Sequence, residues 1–198
     1  MLKRLFDVLC SSVGLLLMSP LLLGIALWIK IDSPGPVFFR QQRVGRGGVL
    51  FRIHKFRSMF EGAALNGPQI TIGADPRITR AGHFLRRHKL DELPQVLDVL
   101  AGTMSLVGPR PEVPRYVALY PAELRDKVLS VRPGITDPAS VEYRGESELL
   151  AGAADPERLY VEQIMPAKLH RAAQYVDRMS LLTDVRLIAS TLRSLWWR

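Results

Sequence analysis

A chain of 198 residues has room for one ordinary domain, or for a small domain with an appendage. With 47% apolar residues it can bury a core, which excludes a disordered chain; its one cysteine, Cys10, excludes an intrachain disulfide and a cysteine-rich zinc site. The net charge of +8 (pI about 10.1) is unevenly placed: residues 1–60 carry nine Lys/Arg against two Asp, so +7 of it surrounds the apolar N-terminus. That distribution fits an anionic, cytoplasmic membrane face. Nucleic acid fits poorly, because nothing resembles a recognition helix, a zinc site or an RNP word.

Residues 8–29 contain no charged side chain, and a straight helix of that length would be roughly 33 Å long, about the thickness of the hydrocarbon core. A signal peptide and a bitopic span are the rival readings; no small-x-small cleavage site follows cleanly. Ser19-Pro20 falls in the middle of the run, where proline removes a helix hydrogen bond and serine can bond back to a freed carbonyl. Both flanks are positive, with Lys3-Arg4 before the run and Lys30, Arg40, Arg43 and Arg46 after it, which favours both ends on one face. The expectation is a re-entrant membrane helix over 1–32 with its apex at Ser19-Pro20. Lys3 and Arg4 read as interfacial anchors, and Trp28, Phe38 and Phe39 suit the headgroup belt.

A turn at 32–36 ends this element. Residues 37–45 and 49–59 predict two strands of a hairpin, the second with Phe51, Ile53 and Lys55 on one side. Residues 61–73 read as loop. Ile78, Ala81, Phe84, Leu85 and His88 are spaced for a helix over 78–90, and a new helix over 91–100 would carry Pro94 in its first turn. Residues 155–198 predict helices broken near Pro166, ending in an apolar stripe from Leu181 to Trp196. That stripe fits either the soluble core or the membrane interface. The fold class is therefore α+β, mostly helical: the re-entrant element, then a membrane-associated body over 33–198 with a short β-hairpin and interfacial amphipathic helices.

The chemistry-bearing stretch is 75–112. Asp91-Glu92 is an adjacent acidic pair preceded by Arg77, Arg80, Arg86, Arg87 and Lys89. Downstream, Arg110 stands between Pro109 and Pro111, which narrow its backbone freedom. A carboxylate among cations is what a nucleophile or magnesium ligand needs when the substrate is a phosphate ester. Arg86 and Arg110 are candidate phosphate clamps, since guanidinium matches phosphate oxygens bidentately.

Three words in this region, Asp75-Pro76-Arg77-Ile78-Thr79-Arg80, Leu90-Asp91-Glu92-Leu93-Pro94-Gln95 and Met104-Ser105-Leu106-Val107-Gly108-Pro109-Arg110-Pro111-Glu112, resemble those of the bacterial sugar transferases. These are the monotopic phosphoglycosyl transferases. Lys3-Arg4-Leu5-Phe6-Asp7 and Lys55-Phe56-Arg57-Ser58-Met59 are similar to further words of that family, as is a re-entrant helix with a Ser-Pro break. The resemblance covers residues 1–145 well and the C-terminal helices loosely. It implies a reaction in which a UDP-sugar and polyprenyl (undecaprenyl) phosphate give polyprenyl-diphosphate-sugar and UMP, on the cytoplasmic face of the bacterial inner membrane. It also implies Asp91 as nucleophile, with Asp91 and Glu92 as ligands of Mg2+ and Glu92 alternatively acting on the acceptor. Lys55 would help hold substrate phosphate, and a homodimer is admissible. The chain departs from the family where Asp98 replaces a usual Asn, and over 137–144. In that segment Arg144 is a candidate for the nucleotide diphosphate, or for a salt bridge to Glu142 or Glu146. A glycosyltransferase releasing UDP and a non-catalytic membrane-surface adaptor remain as alternatives.

Overall fold

The computed structural model describes residues 1–63, 75–143 and 145–196. Helix α1, Leu2–Asp32, is a single element of 31 residues and is long and apolar enough to cross a membrane. Its backbone stays helical through Ser19-Pro20, where the sequence predicts a break. The back-bond expected there is present: Ser19 Oγ donates to Leu16 O at 2.8 Å. Leu16, Leu17, Leu21, Leu23 and Leu27 are exposed along its middle.

Both ends of α1 are held by one body. Lys3 Nζ donates to Val107 O at 3.0 Å and to Asp184 Oδ2 at 2.5 Å. Arg4 donates to Val99 O at 2.5 Å and Leu100 O at 3.0 Å. These two cations, expected as interfacial anchors, therefore also bind the body. The physical reason is that a helix end offers carbonyls without intrahelical partners, and a buried carboxylate needs a cation. Asp7, also buried, accepts from Ser105 Oγ (2.8 Å) and Leu106 N (3.1 Å). At the other end, Ile25 and Ile29 pack with Phe56 and Leu85, while Arg57 donates to Ser33 O (2.7 Å) and Pro34 O (2.5 Å).

Strand β1, Phe38–Val44, pairs antiparallel with β2, Leu50–Phe56, in the register Phe38↔Phe56 to Val44↔Leu50. This is the expected hairpin. Ile53 faces inward against Val99 and Met104. Most of the loop predicted over 61–73 lies outside the described residues. Helix α2, Arg80–Arg87, starts at the cap Thr79, whose Oγ1 accepts from Gly82 N at 3.0 Å. Ala81 and Leu85 are buried as the spacing predicts, but Phe84 turns outward against Trp28, ring centroids 5.4 Å apart. Gly82 is required by a close approach: a Cβ there would lie 2.0 Å from Ser58 O.

Lys89 takes a left-handed conformation (φ 57°) and the chain then tightens into a 3-10 turn, Leu90–Gln95, before helix α3, Val96–Ala101. The helix predicted over 91–100 is thus split, and Pro94 sits inside the 3-10 turn rather than in an α-helical first turn. Strand β3, Ser105–Val107, leads to helices α4, Pro114–Val117, and α5, Ala122–Val128. Strand β4, Gly134–Thr136, then pairs in parallel with β3. The crossing is tight, because a Cβ on Gly134 would meet Gly108 N at 2.0 Å. This fixes the backbone entering Pro109-Arg110.

Helices α6, Pro138–Glu142, α7, Glu146–Ala151, and α8, Pro156–Leu159, follow. The interruption expected near Pro166 is a π-helical turn, Tyr160–Ile164, after which α9, Met165–Asp177, carries Pro166 in its first turn. Helix α10, Leu181–Trp196, buries Asp184 and turns Leu182, Val185 and Leu192 outward. Much of the predicted C-terminal stripe is therefore a surface face and not core.

Candidate active site

The 3-10 turn brings Asp91 and Glu92 beside β2 and the Arg110 loop, and the two acids face different surroundings. Glu92 Oε1 accepts from Lys55 Nζ at 2.7 Å and from Arg110 Nη2, and Oε2 accepts from Arg110 Nη1 at 3.1 Å. Burial alone would raise its carboxyl; the Arg110 and Lys55 cations overcome that and hold it well below the usual carboxylate range. Lys55 is lowered by burial, against the pull of Glu92.

Asp91 is buried, yet among the described residues no hydrogen bond reaches its carboxylate. Burial pushes that carboxyl above the usual range; Lys55 and Arg86 oppose the shift and Glu92 adds to it. Arg86 is oriented by Nε donating to Ser58 Oγ at 3.0 Å.

Asp91 stands at the junction of two cavities. One, of about 270 Å³, is polar and is lined by Arg43, Lys55, Arg86, Asp91 and Arg110 together with Tyr116, Glu146, Tyr160 and Lys168. The other, of about 470 Å³, is more apolar and is lined by Phe38, Phe39, Phe56 and Phe60 beside the end of α1, as well as by Asp91 and Arg86. Gln41, Arg43, Lys55, Arg86 and Asp91 line both.

The structure thus brings together Lys55, Arg86, Asp91, Glu92 and Arg110. Arg144 lies outside the described residues; of its two candidate partners, Glu142 pairs with Arg171 and Glu146 with Lys168. Ser19 and Pro20 belong to α1 and not to this site. Several lining residues were not read from sequence as part of a site. Arg43 Nη1 donates to Glu112 Oε1 at 3.0 Å, Tyr160 OH donates to Glu112 Oε2 at 2.6 Å, and Lys168 Nζ donates to Glu146 Oε2 at 2.6 Å. The only sequence signal was for Glu112, which ends the Arg110 word.

Among the described residues no cluster of three or more His, Cys, Asp or Glu is arranged for a metal. Magnesium bound to a phosphate substrate needs one or two carboxylates. Asp91 offers both oxygens. Glu92 keeps one lone pair on Oε2, because Oε1 already accepts twice. These residues fit a cation held mainly by Asp91 and completed by substrate phosphates.

The model of the family described as "Bacterial sugar transferase" matches residues 1–198. An Aeromonas hydrophila protein named UDP-N-acetylgalactosamine-undecaprenyl-phosphate N-acetylgalactosaminephosphotransferase is 39% identical over 195 residues, covering 98% of this chain and 43% of the relative. The Escherichia coli (strain K12) UDP-glucose:undecaprenyl-phosphate glucose-1-phosphate transferase is 37% identical over 198 residues, covering 97% of this chain and 39% of the relative. The Rhizobium leguminosarum bv. phaseoli "Exopolysaccharide production protein PSS" is 39% identical over 202 residues and is covered over 94% of its length. The chain spans about two fifths of the first two relatives.

Proposed function

This chain belongs to the bacterial sugar transferase family, and we propose that it transfers a sugar 1-phosphate from a UDP-sugar to membrane undecaprenyl phosphate. The observation that carries this reading is the Asp91 carboxylate, free of hydrogen bonds among the described residues, at the meeting point of a polar and an apolar-walled cavity, among Lys55, Arg86 and Arg110. The names of the relatives supply the substrate classes. The polar cavity suits the UDP-sugar; the phenylalanine-lined cavity beside the end of α1 suits a polyprenyl phosphate arriving from the bilayer.

In the first half-reaction an Asp91 oxygen attacks the phosphorus that carries the sugar. The bond from that phosphorus to the bridging diphosphate oxygen breaks, and UMP leaves with the oxygen and its electron pair. A phosphosugar-aspartate remains. In the second, a phosphate oxygen of the polyprenyl phosphate attacks the same phosphorus, and the bond to Asp91 breaks, restoring the carboxylate. One site thus serves a soluble and a lipid substrate in turn. Arg86, held by Ser58 and lining both cavities with Asp91, balances phosphate charge. Glu92 fixes Lys55 and Arg110 at the entrance to the site. Mg2+, held by Asp91 and the remaining lone pair of Glu92, would supply charge neutralisation for the diphosphate.

The seating of both α1 ends on one body supports a re-entrant, monotopic attachment at the cytoplasmic face of the inner membrane. A bitopic span would carry its ends to opposite sides.

The test is UMP release from a panel of UDP-sugars by the protein in nanodiscs with Mg2+, with and without polyprenyl phosphate, beside Asp91→Asn and with intact-mass analysis. An Asp91-dependent phosphosugar adduct, cleared by polyprenyl phosphate, is expected. Release of UDP instead would make the chain a glycosyltransferase, and no nucleotide release from any donor would favour the adaptor.

A further inference from the structure

The polar cavity has a wall that the second cavity does not share. It is built from Tyr116 on α4, Glu146 and Leu150 on α7, Tyr160 in the π-helical turn, and Lys168 on α9. The tyrosine rings lie 5.0 Å apart at 58°, and Lys168 Nζ sits 5.5 Å from the Tyr160 ring centroid. Lys168 Nζ donates to Glu146 Oε2 at 2.6 Å, and Oε1 of Glu146 has no partner among the described residues. Tyr160 OH is already committed to Glu112. The wall therefore presents aromatic edges, one carboxylate oxygen that can only accept, and an ammonium with donors to spare.

We infer that this wall is the nucleoside subsite, in which Glu146, held by Lys168, accepts hydrogen bonds from the ribose hydroxyls of the donor nucleotide. The inference rests on the donor being a nucleoside diphosphate sugar. It follows from the division of the two cavities. With the phenylalanine-lined cavity suited to the lipid and Asp91 lining both, the donor nucleotide is left the part of the polar cavity that the other does not share, where Tyr116, Glu146, Tyr160 and Lys168 stand. A carboxylate facing a vicinal diol can accept from its hydroxyl groups, the chemistry by which an acidic residue recognises ribose in dinucleotide sites. Lys168 prepays part of the cost of burying that carboxylate and keeps it aimed.

Calorimetric titration of the full chain in nanodiscs with UMP and with dUMP tests this. Wild type should bind UMP more tightly than dUMP. Glu146→Gln, which keeps a hydrogen-bonding partner for Lys168, should weaken UMP by about tenfold and dUMP, which keeps only the 3′ hydroxyl, by less, as expected for losing a charged acceptor. Retained dUMP binding also reports that the variant is folded. Lys168→Met should weaken UMP in the same direction. Equal binding of UMP and dUMP by wild type, or an equal loss of both in Glu146→Gln, overturns the assignment. So does an altered preference among UDP-sugars with UMP binding unchanged, which would place the sugar here instead. None of these results touches the reaction, which is judged by Asp91-dependent UMP release.

Discussion

Asp91 and Glu92 are neighbours in sequence, yet their amide substitutions should act in opposite senses. Asp91→Asn removes a charge that burial disfavours and breaks no hydrogen bond among the described residues. A carboxyl whose pKa is raised on folding costs stability above that pKa, about 1.4 kcal/mol for every tenfold increase in its proton affinity. Asparagine relieves that cost at neutral pH. The advantage shrinks as pH falls through the raised pKa and is gone below about 4, where the unfolded aspartate is protonated too. Thermal unfolding at pH 7 should therefore show Asp91→Asn melting at or above wild type, while adduct formation falls about 10³-fold or more with the nucleophile gone. Glu92→Gln leaves Lys55 and Arg110 facing an uncharged amide. Breaking a buried pair costs about 3–5 kcal/mol, and the partial exposure of Arg110 together with the surviving amide bonds lowers that to about 2–3 kcal/mol. For a domain of this size that is a fall in melting temperature of roughly 5–10 °C. The Glu92 pairs stabilise the fold above the ordinary glutamate pKa and stop doing so as pH drops through its depressed value. An Asp91→Asn protein melting well below wild type, or one keeping more than about a tenth of the adduct rate, would refute this division of roles.

Three further outcomes are expected. In the absence of Mg2+, NMR titration of Asp91 should place its carboxyl above that of an ordinary aspartate, because burial raises its pKa; a midpoint at or below about pH 4 would contradict the environment described here. Leu85→Ala empties a fully buried position between Ile25, Ile29 and Phe56, and should cost about 2–5 kcal/mol in urea unfolding. Gly82→Ala drives a methyl against Ser58 O, so the backbone must part by more than an ångström; about 1–3 kcal/mol of stability should go. Arg86 loses its Ser58 partner in the process, and UMP release should drop further than the melting curve alone accounts for.

What could be read in the sequence was what is local in it. The hairpin follows from alternation over a few residues, and the Asp91-Glu92 pair with its cations is written contiguously. The pairing that distinguishes the two acids is not local: Lys55 reaches Glu92 only because β2 passes beside the 3-10 turn. Strands β3 and β4 have three residues each, too short for a periodic signal, and their pairing depends on a close crossing at Gly108 and Gly134. Tyr160 and Lys168 lie in a helical stretch whose pattern indicates only which face is apolar, and Glu146 opens a short helix; nothing in that pattern tells a cavity wall from a surface. Lys3 and Arg4 have partners the sequence did not show. Cations at the start of an apolar helix resemble interfacial anchors, and the carbonyls and carboxylate that bind them come from residues about a hundred or more positions away.

The other buried aspartates show why Asp91 stands apart. Asp7 accepts from Ser105 and Leu106, Asp75 from Arg77, Asp98 from His54, Asp137 from the Arg110 amide, and Asp184 from Lys3 and Tyr175. Each satisfies the rule that a buried charge is paired or hydrogen-bonded. Asp91 accepts no hydrogen bond among the described residues and opens onto the two cavities instead, with Lys55 and Arg86 close enough to pull on its pKa. The reason lies next to it: Glu92 engages Lys55 directly, and Ser58 holds Arg86. A lysine or arginine bonded to Asp91 itself would occupy the oxygens that the attack and Mg2+ need. Cations diverted to Glu92 and Ser58 remain near enough to meet incoming phosphate and leave the Asp91 oxygens free to form the bond.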